Sequence, residues 1–67
     1  KMTKLEILKY VNSEVTFSGV QNAPIGLDDI AANFNTSQET IESLVDQLVQ
    51  DDTLEYCGIG NTCVRKK

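Results

Sequence analysis

The stretch from residue 37 to residue 50 carries the clearest amphipathic pattern in the chain. Its apolar residues recur at the i, i+3, i+4, i+7 and i+8 spacing of one helical face and are Ile41, Leu44, Val45, Leu48 and Val49. Its polar residues occupy the opposite face and are Gln38, Glu39, Glu42, Ser43, Asp46 and Gln47. Because an apolar helix face has to be buried against another element, the pattern predicts a packed helix over residues 37–50, capped by Ser37.

Residues 3–15 predict a first helix. Thr3 and Glu6 have the spacing of a capping box, in which paired side chains satisfy exposed amide groups at a helix start. The apolar positions that follow recur at helical spacing and are Leu5, Ile7, Leu8, Val11 and Val15. We expect these side chains to form the buried stripe of the helix.

Residues 27–34 predict a short second helix. Asp28 and Asp29 fall in its first turn, where negative charge meets the positive end of the helix dipole. The expected inward face consists of Leu27, Ile30, Ala31 and Phe34. Asn35 follows, and asparagine tolerates the left-handed backbone that commonly ends a helix.

The remaining segments contain turn residues. Residues 16–26 predict a loop that lies across the core, because Phe17, Val20 and Ile25 are apolar, with a brief extended stretch beside Pro24. Residues 54–65 predict two strands joined by a Gly-containing turn, which together form a hairpin. We therefore expect one α+β domain spanning residues 1–67, either alone or as one piece of a longer protein.

Length and charge narrow the possible functions. A 67-residue chain has too small a core to enclose a deep substrate pocket, and this one contains no histidine, so we expect no enzyme. Neighbouring acids such as Asp51 and Asp52 diverge by about 100° on a helix and do not converge on one ion. We expect no catalytic residue, metal, cofactor or small-molecule substrate. Apolar runs fall far short of the roughly 20 residues of a membrane span, so we also expect no membrane association.

The two cysteines, Cys57 and Cys63, fall on the two strands of the predicted hairpin. Two thiols without histidine cannot complete a four-ligand zinc site, and small disulfide scaffolds usually carry four or more cysteines. We therefore expect reduced thiols in a cytoplasmic protein. Burial as ordinary core cysteines is the favoured interpretation, and a redox switch is the alternative.

Three helices followed by a hairpin is the element order of a winged helix. The chain resembles the helix-turn-helix of bacterial and archaeal winged-helix transcription regulators. In that family a short helix carries Ile-Ala and is followed by an apolar residue and a turn residue. A Ser cap, a Thr-Ile pair and a hydrophobic strand come next along the chain. These features are Ile30, Ala31, Phe34, Asn35, Ser37, Thr40, Ile41, Leu44, Val45, Leu48 and Leu54. Thr36 departs from the pattern, since the family usually has an apolar residue in that turn.

The resemblance implies a DNA-binding module of the transcription-regulator type, whose third helix faces the major groove. The residues that would then face base edges are Gln38, Glu39, Glu42 and Ser43. The residues that would contact phosphates are Lys4, Lys9, Arg65 and Lys66. The expected ligand under this hypothesis is duplex DNA.

Charge supports a second hypothesis. The chain has six basic and ten acidic residues, giving a net charge of −4, and it has no Lys or Arg between Lys9 and Arg65. Phosphate contacts supply most of the affinity for DNA, so an acidic third helix opposes this binding. The alternative is a protein-interaction module that docks a basic partner through Glu39, Glu42, Asp46 and the exposed turn residue Ile59.

The aromatic residues Tyr10, Phe17 and Phe34 are expected in the core. Alternatively, Tyr10 covers a dimer interface formed by the first helix, since a domain of this size gains stability by oligomerising. A homodimer is therefore a further partner hypothesis.

Overall fold

The computed structural model describes residues 3–67, which form three helices and three strands. In chain order these are α1 (Lys4–Ser18), β1 (Ile25–Gly26), α2 (Leu27–Asn33), α3 (Gln38–Gln50), β2 (Leu54–Cys57) and β3 (Cys63–Lys66). The α+β class and all three helices are confirmed. The first two residues of the predicted domain lie outside the described range.

The strands form one antiparallel sheet in the order β1-β3-β2. The predicted two-stranded hairpin is therefore incomplete, because Ile25 pairs with Val64 and adds a third strand on the other side of β3. The backbone N–H of Leu27 extends this pairing by donating to the carbonyl of Thr62 at 3.1 Å. A strand of two residues is too short to show alternation, so its sequence signal was only the extended stretch beside Pro24.

The core lies between the helices and the sheet. Its buried apolar side chains come from all six elements and are Ile7, Val11, Ile25, Leu27, Ile30, Ala31, Ile41, Val45, Leu48, Leu54 and Val64. Within residues 3–67 no polar or charged residue is buried among them. The apolar face predicted for α3 is thus the centre of the fold.

Three apolar residues predicted to be inward are exposed. Leu5 is 65% exposed, because at 100° per residue it lies about 160° around α1 from the buried Ile7. Phe17 and Val20 are 89% and 52% exposed. The helix runs three residues beyond its predicted end and stops at Gly19, whose φ of 73° suits a left-handed cap, so Phe17 lies on the last turn of α1 instead of in a loop crossing the core.

The two other aromatic residues predicted in the core lie at its edge. Tyr10 and Phe34 are half-buried, and their rings pack edge to face with centroids 5.8 Å apart. This contact covers part of the Tyr10 ring within the chain. Homodimerisation through α1 stays a prediction.

The end of α2 and the start of α3 follow the sequence signals. Asn35 has a φ of 51°, as predicted for a left-handed residue between the two helices. Ser37 caps α3, and its hydroxyl accepts a hydrogen bond from the backbone N–H of Thr40 at 3.2 Å. The turn therefore fixes where α3 begins.

Replacing Ser37 by alanine is expected to lower the unfolding free energy by about 1 kcal/mol, because an N–H of the first turn loses its acceptor. For a chain of this length that corresponds to a fall in Tm of roughly 4–8 °C. Thermal unfolding followed by circular dichroism measures it. Ser43→Ala, at an exposed position within the same helix, is the control and should lose nothing. Equal Tm values for the two variants would show that the cap does not stabilise the helix.

Candidate functional site

Three carboxylates line the solvent side of α3. Glu39, Glu42 and Asp46 are all exposed, and their spacing of three and four residues places them along one face of the helix, here called the acidic face. Glu42 accepts a hydrogen bond from the Gln38 side chain at 3.2 Å, and Asp46 accepts one from the Tyr56 hydroxyl at 2.8 Å. In the described chain, the ion pairs all involve other acids. The acidic face therefore carries negative charge that no lysine or arginine in this range neutralises.

The acidic face forms one wall of an open groove, here called the α3 groove, of about 410 Å³. Its lining residues are Leu27, Glu39, Glu42, Ser43, Asp46, Tyr56, Gly60 and Asn61. Gly60 and Asn61, in the turn between β2 and β3, therefore lie opposite the third helix across the groove. Beside this wall, Ile59 is 97% exposed at the tip of the turn.

The structure brings most of the predicted interaction residues together. Glu39, Glu42 and Ser43 line the α3 groove, whereas Gln38 lines a neighbouring cleft that it shares with Asp28 and Cys63. The sequence interpretation missed Tyr56 as part of the site. A signal was available, because alternation along β2 places Tyr56 on the same face of the strand as the buried Leu54, the face toward the helices.

Tyr56 connects the sheet to the acidic face. Burial, reinforced by the hydrogen bond to Asp46, raises the pKa of Tyr56 to about 12. The negative charges of Asp46 and Glu42 act in the same direction, since both disfavour a phenolate nearby. The hydroxyl therefore stays protonated and donates to Asp46 throughout the neutral range.

The ionisation of Tyr56 is expected to show this contact directly. In a Tyr10→Phe variant, where Tyr56 is the remaining tyrosine, tyrosinate absorbance should rise with a midpoint near pH 12. The pKa of Tyr56 in the folded chain lies above the usual value of 10. The contribution of protonated Tyr56 to folding stability is therefore complete below pH 10 and is lost as pH rises toward 12. Adding Asp46→Asn should lower the midpoint. A midpoint near 10 in both proteins, with circular dichroism showing folded chains, would contradict the contact.

The predicted phosphate-contacting residues are largely engaged elsewhere. Lys4 pairs with Asp51 at 2.7 Å, and Arg65 pairs with Glu55 at 2.5 Å. The ammonium of Lys66 donates to the Asn12 side chain at 2.7 Å, and Lys67 pairs with Asp52. Among the four candidates, Lys9 alone has no hydrogen bond or ion pair from its side chain within residues 3–67.

Two of these cations, Lys4 and Lys67, also lie away from Gln38, the predicted base-facing residue at the start of α3. Lys4 and Lys67 contact Asp51 and Asp52, which follow the last residue of α3, while Gln38 is its first residue. Asp51 follows Gln38 by 13 positions, a distance of about 20 Å along the helix axis. Lys4 and Lys67 therefore lie at the C-terminal end of α3, where these two carboxylates already balance their charge.

Across residues 3–67, no three side chains of His, Cys, Asp or Glu come close enough to hold a metal ion. No helix in that range has both the length and the apolar character needed to cross a membrane.

The chain was compared with known proteins in three ways. None of the protein-family models, curated proteins or solved structures searched gives a match to it. The assignment of function therefore depends on the residues and their geometry.

Proposed function

We propose that this chain is a winged-helix module that binds a basic segment of another protein in the α3 groove. The element order supports the fold assignment, since three helices precede a C-terminal antiparallel hairpin whose turn lies beside the third helix. Ser37 and Asn35 support it further, because they give the short turn between α2 and α3 the cap and the left-handed residue of the resemblance.

The observation that carries the proposal is the charge arrangement of the groove. Glu39, Glu42 and Asp46 present three carboxylates on one wall of the groove. The lysine and arginine side chains that form ion pairs in residues 3–67 contact other carboxylates. Arginine or lysine side chains of a partner would meet acceptors that are already aligned along one helix face. Complementary charge of this kind steers association and sets register more than it sets affinity.

The other wall of the groove adds apolar contact to this charge. Tyr56 presents an aromatic ring that its hydrogen bond to Asp46 holds in place. Arginine stacks on aromatic rings while its guanidinium donates to carboxylates, so Tyr56 and Asp46 together suit an arginine better than a lysine. Ile59, at the tip of the turn, offers an apolar contact beside the charged groove.

Duplex DNA is the second candidate ligand. The exposed Gln38 and Ser43 on α3 favour it, because amide and hydroxyl groups on a third helix can read base edges. Binding would require phosphates to approach the acidic face, and Lys4 and Arg65 would first have to leave their carboxylate partners. Electrostatic repulsion from Glu39 and Glu42 opposes this arrangement.

Two titrations distinguish the candidates. A fluorescent octa-arginine peptide and a fluorescent random duplex of about 20 base pairs are each titrated with the protein, and anisotropy is recorded at about 50 and 200 mM salt. We expect saturable peptide binding that weakens as salt rises, and no binding of the duplex at either salt concentration. Duplex binding with no peptide binding would contradict the proposal and favour the DNA hypothesis.

A further inference from the structure

Cys57 and Cys63 face each other directly across β2 and β3. The hydrogen bond from the Lys67 N–H to the Thr53 carbonyl fixes the phase of this ladder. Counting in steps of two from that pair, the cysteines form a hydrogen-bonded pair, whose Cα atoms lie about 5.5 Å apart. Disulfides form across Cα separations of roughly 4.4–6.8 Å, so the ladder holds the two cysteines at bridging distance without backbone movement.

Both cysteine residues are also partly open to solvent. Both cysteines are half-buried, and Cys63 lines an open cleft of about 360 Å³. Gly58 beside them has no side chain, and a Cβ placed there would lie 3.1 Å from the Cys63 sulfur. A larger residue at position 58 would therefore crowd the thiol that glycine leaves uncovered.

We propose that Cys57 and Cys63 are a reversible modification site, which forms an intrachain disulfide by exchange with a small-molecule disulfide such as glutathione disulfide. One cysteine thiolate attacks a glutathione sulfur, forms a mixed disulfide and releases the first glutathione as its thiolate. The second cysteine thiolate then attacks the protein sulfur of that mixed disulfide and releases the second glutathione. Two protein thiols are oxidised, one glutathione disulfide is reduced, and the two thiol protons end on the two glutathiones.

Bond formation would close a ring around the turn that forms part of the α3 groove. The ring runs from Cys57 to Cys63 and contains Ile59, Gly60 and Asn61, of which the last two line the groove. Reduced protein keeps the turn tied only by hydrogen bonds, whereas the oxidised protein holds it by a covalent link. The site would thus couple the redox state of the surroundings to the rigidity of one groove wall.

The rate of exchange is expected to depend on pH. Burial, and next the hydrogen bond with Cys63, raises the pKa of Cys57 to about 11. Since a thiolate is the attacking species, little of Cys57 is reactive at pH 7 and more becomes reactive as pH rises toward 11. Arg65 on β3 opposes this shift, while Glu55, two residues before Cys57 on β2, reinforces it. Exchange at Cys57 is therefore expected to be slow at neutral pH.

Intact-mass analysis of the folded protein after incubation with glutathione disulfide tests the proposal. We expect a monomer lighter by about 2 Da, from loss of two hydrogens, which returns to its original mass with excess dithiothreitol. The Cys57→Ser and Cys63→Ser variants, with no second thiol, should instead retain one glutathione. An unmodified chain, a stable glutathione adduct on the unsubstituted protein, or a disulfide-linked dimer would each overturn the proposal.

The same experiment in concentrated urea separates the effect of the sheet from that of sequence proximity. If the folded ladder positions the sulfurs, the disulfide should be roughly tenfold harder to reduce in the native chain than in urea, and oxidation should raise the Tm by on the order of 10 °C. Equal reduction in both conditions, or a lower Tm after oxidation, would show that the fold does not favour the bond.

Discussion

The Ile41→Ala variant is expected to lose about 2–5 kcal/mol of unfolding free energy, the largest stability effect of any single change discussed for this protein. Ile41 has no exposed surface and lies in the first half of α3, within the cluster that all three helices and the sheet share. Alanine removes three carbon atoms and leaves a cavity that the surrounding side chains fill only in part. A chain of this length has a total stability of roughly 3–10 kcal/mol, so the variant should lose a large share of it.

Urea denaturation followed by circular dichroism measures this loss. The matched control is Ile59→Ala, which removes the same atoms from a residue that is 97% exposed. Its unfolding free energy should stay within about 0.5 kcal/mol of the original value. Similar losses at positions 41 and 59 would mean that α3 does not form the centre of the core.

The Glu39→Gln/Glu42→Gln variant is expected to lose binding of the octa-arginine peptide about tenfold. Each substitution removes one exposed carboxylate from the α3 groove, and exposed ion pairs contribute up to about 1 kcal/mol each at low salt. Because both effects are electrostatic, the loss should shrink as salt rises. Anisotropy titrations at two salt concentrations measure it.

A double variant on another part of the surface controls for net charge. Glu14→Gln/Asp29→Asn also removes two carboxylates, so both proteins change from a net charge of −4 to −2. Glu14 and Asp29 line a separate cleft beside Tyr10, which shares no lining residue with the α3 groove. This control should bind the peptide nearly as well as the original chain. An equal loss in the two variants would show that the peptide responds to overall charge and not to the acidic face.

The helices were predictable because their signals are local. Ile41, Val45 and Leu48 repeat at the helical period, and burial of all three follows from that period alone. The exposure of Leu5 was harder to predict, because an apolar residue on the outer face of a short helix is easily assigned to the buried apolar stripe. The helix α1 ends at Gly19, which adopts a positive φ. A glycine can adopt this conformation but does not have to, so the sequence alone did not fix the end of the helix.

The site was predictable only where it belongs to one element. Spacing along α3 was enough to group Glu39, Glu42 and Asp46, but the opposite wall of the groove comes from Tyr56 and a turn that pairing between β2 and β3 brings close. The ion pair of Lys4 with Asp51 joins residues 47 positions apart, and no local pattern reports a contact over that separation. Engagement of the cations therefore needed the tertiary structure.

Chemical-shift mapping on the isotopically labelled chain tests the proposed function most directly. Addition of the octa-arginine peptide should shift the backbone amides of Glu39, Glu42 and Asp46 and of the turn at Gly60 and Asn61, with little change at α1. Random duplex DNA at the same concentration should leave the spectrum unchanged. Shifts at Lys4, Lys9 and Arg65 on addition of the duplex, with no response of the acidic face to the peptide, would contradict the account and identify DNA as the ligand.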